Sequence, residues 1–191
     1  FMDLKEQKKE IRKEIRTRKG LLSAEERIAF SQTIGEKVLA MEEVYKAGTI
    51  LLYASLPDEV DTEFLLRRLS SRREGGKKIL LPVVEGDNLI LKEYVPGNME
   101  KGYCNIEEPQ GNECASPSEV DLAIVPGVAF DAECNRLGRG KGFYDRLIPN
   151  LKCRMIGLGF NFQIVPSIPC EEFDRPLDVV VTECAVYQSP L

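Results

Sequence analysis

The sequence predicts a three-layer α/β fold, with a mostly parallel central sheet, helices on both faces and one antiparallel excursion. Three observations predict it. Continuous apolar runs of strand length recur at TILLYAS (49–55), KKILLPVV (77–84), DLAIVPG (121–127), RMIGLGF (154–160) and DVVVTE (178–183). Runs without polar alternation suit strands covered on both faces. Helical patterns fall between several of them, as parallel strands joined by crossovers require. Glycine or proline bounds most of the runs, and no internal repeat or low-complexity linker divides the chain. With 191 residues the expectation is a single domain, 1–191.

Each element has its own local reason. Residues 3–19 read as a polar helix with Leu4, Ile11 and Ile15 on one stripe. Ser23 and Glu26 form a capping box that starts a second helix, carrying Ile28, Ile34, Val38 and Met41 inward to about residue 42. Asp61 caps a helix over 62–73, and EGDN turns the 77–84 strand into an antiparallel partner, LILKEYV (89–95). The Gly-, Pro-, Asn- and Glu-rich stretch 96–118 reads as a long ordered loop. A short helix is expected from near Gly142 to Pro149.

Composition removes several functions. The net charge of −5 counts against a general nucleic-acid binder, whose affinity rests on basic excess. Six cysteines stand ten or more residues apart and histidine is absent, which leaves no zinc-site spacing. The charged start and the lack of a membrane-length apolar run predict reduced thiols in a cytoplasmic protein without membrane partners. Without histidine, acid–base work near neutral pH would need a perturbed Glu, Lys, Tyr or Cys. Phosphoryl transfer needs less of it, because positioning and charge stabilisation carry most of the barrier.

The stretch RLGRGKGFYDR (136–146) fits that chemistry. Gly138, Gly140 and Gly142 alternate, so backbone N–H groups can approach an anion closely. Arg136, Arg139 and Lys141 surround them with charge, and Asp145 sits where it can cap a helix or hold magnesium. The spacing is neither a Walker A loop nor the dinucleotide fingerprint. A basic surface turn would carry the same residues. Lys8 and Arg12, four apart on one helix face, read on spacing alone as a solvated face. Three stretches follow strands, 56–61, 126–145 and 160–163, and are expected to converge at the carboxyl edge of the sheet.

VPGVAFD (125–131) followed by RLGRGKGFYDR closely resembles the 5-formyltetrahydrofolate cyclo-ligases. The resemblance spans nearly the whole chain: KKEIR (8–12), LSAEER (22–27), SLPDEVDT (55–62), IEEP (106–109), FNFQ (160–163) and DVVVTE stand in its order. It implies an enzyme that uses ATP and Mg²⁺ to close 5-formyltetrahydrofolate to 5,10-methenyltetrahydrofolate through a phosphorylated imidate. It further implies ATP contacts from Lys8, Arg12, Arg136, Leu137, Gly138, Arg139, Gly140, Lys141, Gly142, Phe143 and Tyr144. Folate contacts are implied for Ala54, Glu59 and residues 139–143, and magnesium ligation for Asp145 and Asp174. Lys141, Arg139 and Tyr144 form the expected catalytic group, in a protein expected to be a monomer. Two positions depart from the family pattern: Cys134 stands where glycine is common, and Phe173 where histidine often precedes Asp174. A sugar-phosphate or CoA-handling enzyme on a similar sheet, and a non-catalytic nucleotide or nucleic-acid binder, are the competing readings.

Overall fold

The computed structural model describes residues 2–71 and 75–190. Helix α1 (Leu4–Lys19) starts where the Asp3 carboxylate accepts from the Glu6 N–H at 2.8 Å. Its last turn carries Arg16, Arg18 and Lys19, opposite in sign to that end of the helix dipole. Helix α2 (Ala24–Leu39) begins with the Ser23–Glu26 capping box closed in both directions. Its buried face is Ser31, Ile34, Gly35 and Val38, whereas Ile28, expected inward, is 63% exposed. Six residues advance a helix by about 600°, which leaves Ile28 some 120° from Ile34. Beyond α2 the chain forms a further short helix, α3 (Glu42–Lys46).

Strand β1 (Thr49–Leu51) is an interior strand of a seven-stranded sheet. It pairs in parallel with β2 (Lys78–Glu85) on one side and β6 (Leu122–Val125) on the other. Beyond β6 run β9 (Arg154–Leu158) and β10 (Val179–Val181), both parallel. The edges are antiparallel: β3 (Asn88–Glu93) returns from β2, and β11 (Val186–Gln188) from β10. The strand order is therefore β11-β10-β9-β6-β1-β2-β3. Ile50, Leu52, Leu122 and Ile124 join the core shared with α2 and with α4 (Glu63–Ser70). Leu51, Ala123 and Val125 join the opposite core, with Leu147 and Ile148. Leu147 belongs to α5 (Phe143–Leu147), so helices cover both faces as expected. The 62–73 helix ends at Ser70, and the last two residues of its expected span lie outside the described ones.

Two features differ from the sequence expectation and shape the site. The 96–118 stretch contains a small hairpin, β4 (Met99–Lys101) and β5 (Glu107–Pro109), with Tyr103 in the turn between them. After β6, a second hairpin pairs β7 (Ala129–Phe130) with β8 (Arg136–Leu137). Its turn is organised by the buried Asp131, whose carboxylate accepts from the N–H groups of Glu133, Asn135 and Ile168. Helix α1 packs Ile15 against Val128, Ala129 and Leu137 of this hairpin segment. The N-terminal helix is thus docked on the element that carries the glycine loop. Among the described residues, no helix is long and apolar enough to cross a membrane.

Candidate active site

The chain reverses its direction of sheet growth between β1 and β6, and in open parallel sheets that switch point opens a crevice at the carboxyl ends. A cavity of about 290 Å³ lies there. One wall comes from the segment after β1 (Tyr53, Ala54, Leu56, Glu59), another from Pro126 to Val128 and the glycine loop. The β2–β3 hairpin adds Pro82, Val84 and Leu89, and the β4–β5 turn adds Tyr103, Cys104 and Ile106. The Tyr103 ring meets Phe143 edge-on at 5.7 Å, bringing that turn against the glycine loop. Tyr103 went unmarked in the sequence because its strands are short and polar.

Two of the three stretches expected to converge do so. The third, 160–163, acts from behind. Gln163 is buried and donates from Nε2 to the carbonyls of Gly127 and Val128 at 2.9 and 3.0 Å, holding the turn after β6. Neither Gln163 nor its neighbours line the cavity.

Within the glycine loop the residues divide by role. Gly140 and Gly142 have φ of 104° and 75°, the left-handed region that favours glycine. Gly138 does not, and its carbonyl instead accepts from Arg12 Nε at 2.8 Å. The Arg136 side chain is only 8% exposed: Nε donates to the Pro126 carbonyl at 2.6 Å, Nη1 lies 3.5 Å from Asp145, and the guanidinium covers the Tyr144 ring. The Leu137 side chain faces α1, and its carbonyl accepts from Val128. Only main-chain contact with a ligand is left to it. Lys141, Phe143, Tyr144 and Asp145 line the cavity, and the Lys141 ammonium has no partner among the described residues. Helix α5 has only five residues, so its dipole adds less field than a long helix would.

A second cavity, about 370 Å³, adjoins the first through Val128 and Arg139. Arg12, Arg16, Lys19 and Arg139 line it, against one carboxylate, Asp58. Arg139 Nη2 sits 2.6 Å from Asp58 and 3.7 Å from Glu59. Burial works to lower the Arg139 pKa, but the hydrogen bond to Asp58 and the two carboxylate charges outweigh it and raise it. Glu59 is buried, and this pushes its carboxyl above the usual range despite a 2.7 Å hydrogen bond from the Leu56 N–H. Burial likewise raises the Tyr144 hydroxyl, with the Glu59 charge second.

The magnesium assignment meets the structure unevenly. Mg²⁺ keeps several waters and needs one or two carboxylates beside substrate phosphates. Asp145 fits that donor set, with a half-free carboxylate on the loop. Asp174 lines neither cavity and accepts from the Glu171 N–H at 2.9 Å. Both Asp174 and Lys8 act on the Cys170 thiol, though burial is the larger cause of its raised pKa. Lys8 and Asp174 therefore share a neighbourhood around Cys170, and neither lines a cavity. No cluster of three metal-binding side chains occurs among the described residues.

Comparison with known proteins gives the family and the fold. The model of the 5-formyltetrahydrofolate cyclo-ligase family matches residues 4–183. A 5-formyltetrahydrofolate cyclo-ligase of Escherichia coli (strain K12) is 32% identical over 183 residues, covering 91% of this chain and 99% of that protein. The Mus musculus enzyme of that name is 31% identical, covering 92% and 93%. The NMR structure of the Aquifex aeolicus 5,10-methenyltetrahydrofolate synthetase superposes with a TM-score of 0.85 at 35% identity, over 96% of this chain and 93% of that one. With a family match over residues 4–183 and a shared fold, the chain belongs to the 5-formyltetrahydrofolate cyclo-ligase family.

Proposed function

We propose that this protein closes 5-formyltetrahydrofolate to 5,10-methenyltetrahydrofolate, using ATP and Mg²⁺ and releasing ADP and phosphate. One observation carries the reading: an apolar slot ending in Glu59 is walled directly by the cationic glycine loop. A flat ring and a phosphoryl group can therefore meet without solvent between them. The formyl oxygen of the substrate is a poor leaving group and needs activation. That oxygen attacks the γ-phosphorus, the bond to ADP breaks, and a phosphorylated imidate forms. The N10 lone pair then attacks the formyl carbon, the carbon–oxygen bond breaks, inorganic phosphate leaves, and N10 gives up its proton.

The chain's own residues position these events. Glu59 accepts ring N–H groups, and Ala54 borders the ring. Residues 138–142 and the ammonium of Lys141 stabilise the charge growing on the phosphoryl oxygens, each such donor contributing about 2.7–4 kcal/mol. Arg139, Tyr144 and Phe143 line the junction between the two substrates. Arg136 holds Tyr144 and Asp145 in place, and Arg12 and Lys8 bring α1 to the nucleotide side. Asp145, the carboxylate on the loop, would hold Mg²⁺, which would supply charge neutralisation at the phosphates; Asp174, implied by the resemblance, lies outside both cavities. The same reading takes residues 1–191 as one catalytic domain, acting as a monomer in the cytoplasm. It is tested by ¹⁸O in the formyl oxygen. The label must appear in inorganic phosphate; label released to water instead would exclude the imidate route.

A further inference from the structure

The segment from Tyr53 to Glu63 is closed by its own hydrogen bonds. Thr62 Oγ1 donates to the Tyr53 carbonyl, and Ser55 and Thr62 exchange side-chain to backbone bonds. Glu59 holds the Leu56 N–H, and the Arg27 guanidinium takes the carbonyls of Glu59 and Leu56. One group is left out. The Tyr53 hydroxyl is buried and has no hydrogen-bond partner among the described residues, and no other buried side-chain polar atom there shares that state. A phenylalanine would fill the same volume without leaving a polar atom unmatched, so the hydroxyl carries a burial cost with no return inside the free protein.

Tyr53 also lines the cavity that holds Glu59 and Tyr144. Its strongest ionic neighbours are those same two groups, and burial with the Glu59 charge holds the phenol neutral far above its ordinary range. A neutral phenol is a donor in search of an acceptor. Resting on the folate reading above, we propose that the Tyr53 hydroxyl donates to an acceptor atom of the substrate ring, next to the N–H groups taken by Glu59. The two residues would then select a ring edge that presents an acceptor beside a donor. A site built this way discriminates against ligands lacking the matched atom, because the buried hydroxyl is again left unpaired.

The test is Tyr53→Phe in the full chain, after turnover of 5-formyltetrahydrofolate by the unaltered protein is established. KM for the folate should rise about five- to tenfold, the size of one neutral hydrogen bond, while KM for ATP stays within about twofold. 5-Formyltetrahydropterin, which lacks N10 and cannot be closed, should lose the same factor in its Ki as a competitive inhibitor. The ligand-free melting temperature should hold or increase, and the increase on adding folate should shrink. An unchanged folate KM would overturn the proposal and leave a core hydroxyl. Equal losses for folate and ATP with a lower ligand-free melting temperature would overturn it too, by showing a structural role. Failure of the unaltered protein to use the folate would instead strike the underlying function, and is seen before any variant is made.

Discussion

Arg12 Nε donates to the carbonyl of Gly138 at 2.8 Å across 126 positions of sequence. The same guanidinium lies about 3.6 Å from where a side chain at Gly140 would begin. Helix α1 is therefore clamped to the turn of the glycine loop, with Ile15 packed beneath it on Val128 and Leu137.

Arg12→Ala removes a charged donor and a clamp together. Charge-assisted bonds contribute roughly 1.5–3 kcal/mol. The KM for ATP should rise about ten- to a hundredfold, with the folate KM moving much less. Because the side chain is half-buried, a fall of several degrees in melting temperature should accompany it, at about 2–4 °C per kcal/mol for a chain this size. Steady-state kinetics and a thermal scan on one preparation read both effects.

Much of this was legible in the sequence, for reasons that differ by residue. The Ser23–Glu26 box and the unbroken apolar runs are local signals, and the structure keeps them. Arg12 was different. Its spacing marks only a helix face, and its partner is distant, so family resemblance carried it. Tyr53 sits within an apolar strand run and looks like core until its hydroxyl is traced. Tyr103 lies in a polar stretch whose two three-residue strands are too short to show a period. Ile28 is apolar and near the helix start, yet it misses the buried stripe by a third of a turn, which composition alone does not show.

Cys134 bears on the turn that leads into the loop. It holds φ at 67° with its thiol fully buried, Sγ 3.5 Å from the Tyr187 carbonyl. Left-handed backbone costs an L-residue roughly 1–2 kcal/mol, which glycine avoids. Cys134→Gly should therefore be more stable than Cys134→Ala by about 1 kcal/mol, reversing the usual order. Urea titration of the pair decides it; the alanine variant being the more stable would mean that the turn relaxes. Burial pushes the Cys134 thiol to about 11, so alkylation at pH 8 should spare it in the folded protein and reach exposed Cys104, Cys114, Cys170 and Cys184.

Glu59 sets a pH dependence. Burial raises its carboxyl above the ordinary 4.5, so the stability that its neutral form contributes is fully present below 4.5 and lost as pH rises through the folded value. Glu59→Gln mimics the neutral form. Its stability advantage should be absent below pH 4.5, grow as pH rises above it, and then level off. Folate KM should worsen at neutral pH in the same variant. Melting curves from pH 4 to 8 check the first statement; a gap that narrows with pH would contradict it.

Asp145 is the exposed carboxylate of the loop, paired at 3.5 Å with Arg136. Asp145→Asn should raise the Mg²⁺ concentration needed for half-maximal rate, with much of the rate recovered at excess metal. Loss of turnover in EDTA and its return on adding Mg²⁺ complete the check. Full turnover in EDTA would remove the metal from the account.

The central claim is that the apolar slot and the cationic loop couple ATP cleavage to ring closure. The direct measurement follows methenyltetrahydrofolate absorbance while ADP is counted in the same cuvette, with protein, 5-formyltetrahydrofolate, Mg²⁺ and ATP. The account predicts product only when ATP is present, one ADP for each ring closed, and a rate that collapses in Lys141→Ala. Ring closure at full rate without ATP, or ADP release with no methenyl product, would contradict it.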